Sequence, residues 1–268
     1  MLSKIYQKLM QASKGKKKFQ YLFQVLHNTA ISGMNYGNGG DFMQSGEEFC
    51  IDYVKSKLNY SNENSFTVFD VGANKGSYAH LISQKFSSQT QIYSFEPSKI
   101  TFEKMKENNK EVKNIKPFNI GFGSKADTIK LFTNSDLSGL ASVYQRRLDH
   151  FEINMDKYEE IEISTLDTFC EQHKIENIDF LKLDVEGHEL EVLKGAANLL
   201  KENKIRFIQF EFGGANIDSR TFFQDFYYLL SPNYHLHRIL KDGLQILNDY
   251  DERYEVFNSI NYLAELKK

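Results

Sequence analysis

The sequence predicts an α/β protein with a doubly wound, mostly parallel sheet, and two observations support this fold class. From residue 66 onward, short apolar runs alternate with amphipathic stretches, which is typical of strands connected by helices. The chain has 268 residues, of which 41% are hydrophobic, enough for one large domain with a substantial core. We find no internal repeat and no low-complexity tract that would favour another architecture.

The predicted strands are apolar runs that end in turn residues. They lie at 66–71, 91–95, 115–120, 178–184, 206–210, 234–240 and 258–266. The last two are close together in sequence, so they predict an antiparallel edge. A separate hairpin is predicted near 128–133 and 159–163.

The predicted helices carry apolar residues at a spacing of three or four. Their inward residues are Tyr78, Leu81, Ile82 and Phe86; Ile100 and Met105; and Leu190, Leu193, Ala197 and Leu200. A short helix begins at Leu166, and another spans about 219–230. The aromatic stripe of that last helix, which could form a homodimer face or pack into the core, contains Phe222, Phe223, Phe226, Tyr227 and Leu230.

Residues 1–60 are predicted to be a helical extension that precedes a domain over 61–268. Ser45–Glu48 has the pattern of a capping box, and Phe49, Tyr53, Val54 and Leu58 then share one helical face. The glycine-rich segment 33–40 predicts a mobile loop. Together with His27, Asn35 and Tyr36, it is either a lid over a substrate or a flexible linker.

Composition and charge exclude several classes of protein. The net charge is −3, so no global positive field draws the chain to nucleic acid. No apolar stretch is long enough for a membrane span, and the first residues lack a secretory signal, so a cytoplasmic protein is expected. Cys50 and Cys170 match no metal spacing and are expected to be reduced, packed thiols. The basic run Lys14–Lys18 is interpreted as a solvated helix end rather than a lipid contact.

The end of the first predicted strand carries a ligand-binding pattern. Gly72 and Gly76 permit a tight turn before a helix N-terminus, as a nucleotide site requires. Asp70 would repel a diphosphate, and Asn74 stands where a dinucleotide-binding turn needs glycine. A sulfonium or amino cation would be attracted instead, which favours S-adenosylmethionine over NAD. Glu96 follows Gly76 by 20 residues, the interval at which a carboxylate binds a ribose diol.

A second acidic segment follows the strand at 178–184. Asp184 is expected to point into the cleft, and Glu186 and His188 are further candidates for acid–base chemistry. Glu189 is better explained by its place in the first turn of a helix, where a carboxylate complements the helix dipole. A divalent metal on Asp184 and Glu211 is a weaker alternative, because two carboxylates are a thin ligand set.

These residues together resemble the FkbM family of S-adenosylmethionine-dependent methyltransferases over about residues 45–265. The matching segments are Phe69–Gly76, Phe95–Pro97, Thr165–Asp167, Ile178–Glu189 and Val192–Ala196. The resemblance implies a Rossmann-like class I methyltransferase fold of seven strands. It also implies O-methylation of a hydroxyl on a sugar, glycan or secondary metabolite.

Carried onto this chain, the resemblance assigns roles to individual residues. Asp70, Gly72, Asn74 and Gly76 would surround the methionine part of the cofactor, Glu96 the ribose, and Asn119 and Ile120 the adenine. Asp184 would also bind the cofactor, near its sulfonium end and the reaction centre, and Asp184, Glu186 or His188 would take the acceptor's proton. No metal is part of this assignment. The alternatives are an NAD-dependent oxidoreductase and a non-catalytic protein that retains the fold.

Overall fold

The computed structural model describes residues 10–37, 42–58 and 65–268 and has a three-layer α/β architecture. The strands are β1 Thr67–Val71, β2 Gln91–Phe95, β3 Ile115–Phe118, β4 Gly121–Phe122, β5 Asp127–Thr133, β6 Lys157–Ser164, β7 Ile178–Leu183, β8 Ile205–Phe212, β9 Tyr234–Leu240, β10 Gly243–Leu247 and β11 Ile260–Leu266. The α-helices are α1 Gln20–Gly33, α2 Phe42–Ser45, α3 Glu47–Lys57, α4 Ser77–Lys85, α5 Lys99–Asn109, α6 Leu166–His173, α7 Glu189–Lys194, α8 Ala197–Lys201, α9 Ala215–Ser219 and α10 Phe223–Leu230.

Eight strands form the main sheet in the order β10-β9-β11-β8-β7-β1-β2-β3. The five strands from β8 to β3 are parallel, and β11 runs antiparallel between β8 and β9. The strand order reverses between β1 and β7. In open α/β sheets, ligands bind beyond the carboxyl ends of the strands at such a switch point.

The predicted α/β class with a mostly parallel sheet is confirmed, but the count of seven strands is wrong by one. Gly243–Leu247 adds the edge strand β10, antiparallel to β9. The two late predicted strands, β9 and β11, pair antiparallel as expected, but both lie inside the sheet because β10 forms its edge. The predicted hairpin is also confirmed: β5 pairs antiparallel with β6, and β4 joins them in a small second sheet.

The alternation of side chains along each strand divides the core between the two faces of the sheet. Phe69 and Leu181 belong to the cluster under α6, α7, α8 and α10, whereas Val68 and Phe180 belong to the cluster under α3 and α4. Cys50 and Cys170 are both free and buried, one in each cluster, as predicted.

Three helix predictions need correction. The helix expected around Leu190–Leu200 is broken at Gly195, and Ala197 is exposed because it opens the separate helix α8. The helix expected over 219–230 is likewise interrupted between α9 and α10. Ile100, predicted to face inward, is 53% exposed, while Met105 is buried.

The aromatic stripe of α10 packs into the core, so its interpretation as a homodimer face is wrong. Its four buried members are Phe223, Phe226, Tyr227 and Leu230. Phe222, at the N-cap of the helix, remains exposed. Stacking of Phe226 on Phe210 of β8, with ring centroids 4.7 Å apart, fixes the helix against the sheet.

Helix α3 packs against the sheet, but its start differs from the predicted capping box. Gly46, with φ of 85°, is the N-cap, and the Ser45 hydroxyl accepts a hydrogen bond from the Glu47 amide. Glu48 instead pairs with Lys85 of α4. Val54 and Leu58 are buried as predicted, whereas Phe49 and Tyr53 are half-buried.

The segment before α3 is described as far as residue 37, so part of the predicted glycine loop lies outside the described residues. His27 is exposed, and the Asn35 side-chain amide donates to the Ser45 carbonyl. Tyr36 is buried, with the Arg238 guanidinium 4.7 Å from its ring centroid. In the described ranges, no helix combines the length and apolar character needed to cross a bilayer.

Candidate active site

The turn after β1 is shaped by two glycines with left-handed backbone. Gly72 and Gly76 have φ of 82° and 80°. A Cβ on Gly72 would overlap the Asp184 carbonyl, and one on Gly76 would overlap the Asn109 side chain. Glycine is therefore required at both positions by space as well as by dihedral angle. Asn74 also has a positive φ, of 48°, which asparagine tolerates better than most residues.

Glu96 joins this turn to the end of β2. One carboxylate oxygen accepts from the Asn74 amide and the other from the Ser98 amide, each at 2.9 Å. Burial raises the pKa of Glu96 to about 7, although these hydrogen bonds oppose the shift. Each carboxylate oxygen has a second lone pair, so Glu96 can still accept hydrogen bonds from a ligand diol.

Beyond β7, Asp184 is fixed by contacts on both sides. Its amide donates to the Val71 carbonyl, and its carboxylate accepts from the buried Lys182 ammonium at 2.9 Å. The Asp184 side chain is 39% exposed. Glu189 stabilises the following turn because its carboxylate accepts from the amides of Val185 and Gly187. This structural role agrees with the interpretation of Glu189 as a residue of the helix start.

Three carboxyl groups meet at the ends of β7 and β8. Oxygens of Asp184, Glu186 and Glu211 lie within 4.8 Å of one another, which is close enough to hold a divalent cation. Burial and then the nearby Asp184 carboxylate raise the pKa of Glu186 to about 8. The same two causes raise the pKa of Glu211 well above its ordinary range. Of this carboxyl trio, Glu186 and Glu211 therefore retain protons near neutrality.

Arg146 balances part of this charge. Its guanidinium lies 2.5 Å from Glu186 and 3.9 Å from Asp218, and its side chain is only 9% exposed. The Glu186 backbone has a φ of 50°, and its carbonyl accepts from the Ser142 hydroxyl. Ser142 and Arg146, both in the loop between β5 and β6, therefore contact Glu186 of the carboxyl trio.

His188 occupies the same wall and is held by a tyrosine. Its Nδ1 lies 2.9 Å from the Tyr144 hydroxyl, and its Nε2 is buried beside Gly123 without a hydrogen-bond partner. Burial lowers the pKa of His188 below its ordinary value, which favours the neutral imidazole. The residue is thus a base at neutral pH, although its Nε2 faces protein atoms.

Below the cleft, polar side chains form a row across three neighbouring strands. Asp70, Lys182 and Gln209 are register partners on β1, β7 and β8. All three are buried on the face that α3 and α4 cover. The Tyr78 hydroxyl of α4 donates to Gln209, and the Lys182 ammonium lies 4.5 Å from the centroid of the Tyr78 ring. Gln209 in turn donates to Glu47 of α3 at 2.8 Å.

This polar row ties α3 to the site and carries strongly shifted groups. Burial raises the pKa of Asp70 to about 6 and that of Glu47 to about 7, while Lys182 opposes both shifts. Lys182 lies 4.0 Å from Asp70. Burial alone would lower the pKa of Lys182, but Asp184 and Asp70 raise it above its ordinary value. Lys182 therefore stays protonated between the two aspartates.

These elements surround a cavity of about 350 Å³, a size typical of small-molecule sites. Its polar and glycine lining consists of Glu47, Gly72, Asn74, Glu96, Gly121, Ser138, Gly139, Asp184, Glu186, His188 and Glu211. Five of these residues carry carboxyl groups. No lysine or arginine of the described ranges is among the residues that line it.

The cavity brings together most of the residues that the sequence indicated. Gly72, Asn74, Glu96, Ile120, Asp184, Glu186 and His188 all line it. Three predicted residues lie behind its wall: Asp70 is fully buried against Lys182, Gly76 packs on α5, and Asn119 donates to the carbonyls of Glu96 and Pro97. His27, Asn35 and Tyr36, the predicted lid residues, are not part of the lining.

The sequence reasoning missed three groups that shape the site. Glu47 was indicated only as part of a capping-box pattern, and Arg146 comes from a segment without a recognisable motif; the folded chain brings Glu47 to the cavity and Arg146 to Glu186. Lys182, by contrast, left a signal: a lysine inside an apolar strand needs a buried partner. The sequence indicated Asp70 and Asp184, but it did not indicate that Lys182 lies between them.

Comparison with known proteins identifies the family. A family model described as the methyltransferase FkbM domain matches residues 70–245. The chain belongs to the FkbM methyltransferase family. The matched range contains the glycine turn, Glu96, the acidic segment after β7 and Glu211, so the cavity lies largely within the FkbM domain.

Two relatives of this FkbM protein share similar lengths of sequence with it. The hexuronic acid methyltransferase AglP of Haloferax volcanii is 27% identical over 163 residues, which are 60% of this chain and 62% of AglP. The 2-O-methyltransferase NoeI of Sinorhizobium fredii is 26% identical over 154 residues, 54% of this chain and 62% of NoeI. The chain thus spans about three fifths of these relatives.

Solved structures show more distant likeness. The human methyltransferase 10 domain containing protein aligns with a TM-score of 0.40 at 12% identity, over 81% of this chain and 80% of that one. Fibrillarin of Aeropyrum pernix aligns with a TM-score of 0.41 at 12% identity, over 81% of this chain and 74% of the other.

Proposed function

We propose that this protein transfers the methyl group of S-adenosylmethionine to a hydroxyl of a sugar or glycan. The observation that carries the proposal is the lining of the cavity, which contains five carboxyl groups and, among the described residues, no lysine or arginine. Such a cavity favours a cationic ligand and disfavours a diphosphate. S-adenosylmethionine is the adenosyl cofactor whose reacting end is positive.

The residues present fit that cofactor. Gly72 and Asn74 of the left-handed turn line the cavity, so a ligand there would lie beside the turn, and Glu96 offers lone pairs to the ribose diol. Ile120, with the apolar side chains of Phe95 and Val143, lines the part of the cavity that would receive the adenine. Asp184 and Glu47 would face the methionine end. When bound, the cofactor supplies a methyl group already activated by positive sulfur.

The chain's own task is to hold the acceptor and to remove its proton. We assign the proton to the Asp184 carboxylate, which is the exposed member of the carboxyl trio and is fixed by Lys182. Glu186 and Glu211 retain protons near neutrality because of burial, so they are suited to donate hydrogen bonds to acceptor oxygens. His188 is assigned a supporting role, since its Nε2 lies against Gly123.

The acceptor class rests on the relatives. AglP is named for hexuronic acid and NoeI for a 2-O position, and both share this chain's FkbM domain. A sugar hydroxyl also suits a wall of carboxyl groups, because carboxyls accept and donate hydrogen bonds to vicinal hydroxyls. We therefore place the acceptor beside Asp184, Glu186 and Glu211.

The test is transfer of isotopically labelled methyl from S-adenosylmethionine to a panel of uronic acids, neutral hexoses and their glycosides. We expect label in at least one sugar, together with equimolar S-adenosylhomocysteine. Binding of S-adenosylhomocysteine without transfer to any acceptor would instead support a non-catalytic binding protein. Tighter binding of NAD than of S-adenosylhomocysteine would support the oxidoreductase alternative.

A further inference from the structure

The segment that precedes the domain differs in charge from the rest of the chain. The first 40 residues contain six lysines and no acidic residue, so the remaining residues must carry a net charge of −9 to give −3 for the whole. Four of these lysines, Lys14, Lys16, Lys17 and Lys18, lie directly before α1 and are exposed. The positive charge is therefore concentrated at one end of a single helix.

Helix α1 also exposes an apolar surface. None of its 14 residues is buried, and Tyr21, Leu22, Val25 and Leu26 are between 45% and 80% exposed. Leu22, Leu26 and Ala30 follow at helical spacing from Phe19, so they form one stripe along the helix. A stable helix with an apolar stripe normally packs that stripe against another element.

We propose that Lys14–Lys18 and helix α1 dock the protein on an anionic lipid surface. An exposed apolar stripe with adjoining lysines is a feature of interfacial membrane-binding helices. The lysines would contact anionic headgroups, and Leu22, Val25 and Leu26 would enter the boundary with the acyl chains. Charge complementarity selects this occupant, since clustered lysines beside an amphipathic helix are the usual feature that recognises anionic lipid.

The rest of the structure is compatible with such docking. The residues that follow α1 join this segment to the domain: the Gly37 amide donates to the Ser259 carbonyl, and Tyr36 is buried. Helix α1 can therefore contact a surface while the core of the domain remains unchanged. The acidic remainder of the chain would be repelled by the same lipids, which leaves this segment as the contact.

Flotation with vesicles tests the proposal. The full chain is mixed with vesicles of phosphatidylcholine alone, or with vesicles in which about a third of the lipid is phosphatidylglycerol. We expect binding to the anionic vesicles only, weakened at about 0.5 M salt because screening shortens the electrostatic reach. Changing Lys14, Lys16, Lys17 and Lys18 to Gln is expected to reduce partitioning on the order of a thousandfold.

A matched variant removes four exposed lysines elsewhere, at Lys110, Lys113, Lys125 and Lys201, and should float like the wild type. Leu22→Ser with Leu26→Ser should also abolish flotation, while binding of S-adenosylhomocysteine to each variant reports an intact domain. Absence of wild-type flotation, or equal losses in the two four-lysine variants, would overturn the proposal. So would a dimer in sedimentation that Leu22→Ser with Leu26→Ser dissociates, because the stripe would then cover a second copy.

Discussion

The two walls of the cavity are built in different ways. The glycine-turn wall, formed by Gly72–Gly76 and Glu96, is held by backbone amides: those of Gly72 and Ala73 donate to the Phe95 carbonyl, and those of Asn74 and Ser98 donate to the Glu96 carboxylate. The carboxyl wall, formed by Asp184, Glu186 and Glu211, depends on charged side chains from distant segments. The glycine-turn wall is fixed by backbone hydrogen bonds, whereas the protonation of the carboxyl wall depends on burial and on neighbouring charges. We therefore expect mutations in the two walls to fail in different ways.

The largest effect is expected at the carboxyl wall. Asp184→Asn should reduce methyl transfer about 10²- to 10⁴-fold, because the variant cannot accept the acceptor's proton. Cofactor affinity should change only a few-fold, which calorimetry with S-adenosylhomocysteine would measure. Asp242→Asn, at an exposed position, is the control and should retain full activity. An active Asp184→Asn enzyme would move the base to His188.

The glycine-turn wall should instead fail through folding. Gly72→Ala places a Cβ on the Asp184 carbonyl at a φ of 82°, so we expect a loss of stability of about 3 kcal/mol or more. Gly33→Ala is the matched control, because a Cβ there meets nothing within 4 Å. Urea denaturation compares the two. Equal stabilities would show that the turn has room to move.

The polar row under the cavity should give the domain an unusual pH dependence. Glu47 has a pKa of about 7 when folded against an ordinary 4.5, so the folded state keeps a proton that the unfolded state has released. Its contribution to stability is complete below about pH 4.5 and is lost as the pH rises through about 7. The unfolding free energy of the wild type should therefore fall between about pH 5 and pH 8, and Glu47→Gln should make this fall smaller by about 2 kcal/mol.

Measurement of that slope needs a neighbour for comparison. Glu48→Gln changes an exposed carboxylate on the same turn of α3 and should leave most of the slope in place. Chemical denaturation at several pH values gives the free energies. If Glu47→Gln and Glu48→Gln behave alike, the shift does not arise from burial beside Gln209 and Lys182.

A smaller effect is expected at Glu96. Glu96→Gln turns an amide NH₂ toward one of the two backbone amides that the carboxylate binds, so cofactor binding should weaken about tenfold. Glu103→Gln on exposed α5 is the control. Calorimetry with S-adenosylhomocysteine compares the affinities. Unchanged affinity would remove Glu96 from the ribose site.

The same contrast explains how much could be predicted from sequence. The glycine turn, Glu96 and the segment at Asp184 were found because each is a short motif at the end of a strand. The parallel strands were found because burial on both faces leaves mostly apolar runs such as Ile178–Leu183, in which four of the six residues are apolar. Local patterns therefore indicated both the fold class and one wall of the site.

The remaining features depend on contacts between distant segments. Arg146 meets Glu186 across 40 residues, and Glu47 meets Gln209 across 162, so neither pair leaves a pattern in sequence. The edge strand Gly243–Leu247 was missed because four of its five residues are partly or fully exposed, in consecutive pairs that break the usual alternation. Gly195, the C-cap of α7, packs so closely on the Gly123 carbonyl that a Cβ there would overlap it, and this contact joins segments that are distant in sequence.

We infer that the carboxyl-lined cavity selects a cationic adenosyl ligand. The test is calorimetric titration, at about pH 6 and about pH 8.5, of S-adenosylmethionine and of S-adenosylhomocysteine, whose sulfur is uncharged. Since Glu47 and Glu186 lose protons near pH 7 and pH 8, we predict that preference for the sulfonium rises several-fold over this interval. A preference that does not change with pH, or a cavity that binds neither ligand, would contradict the claim.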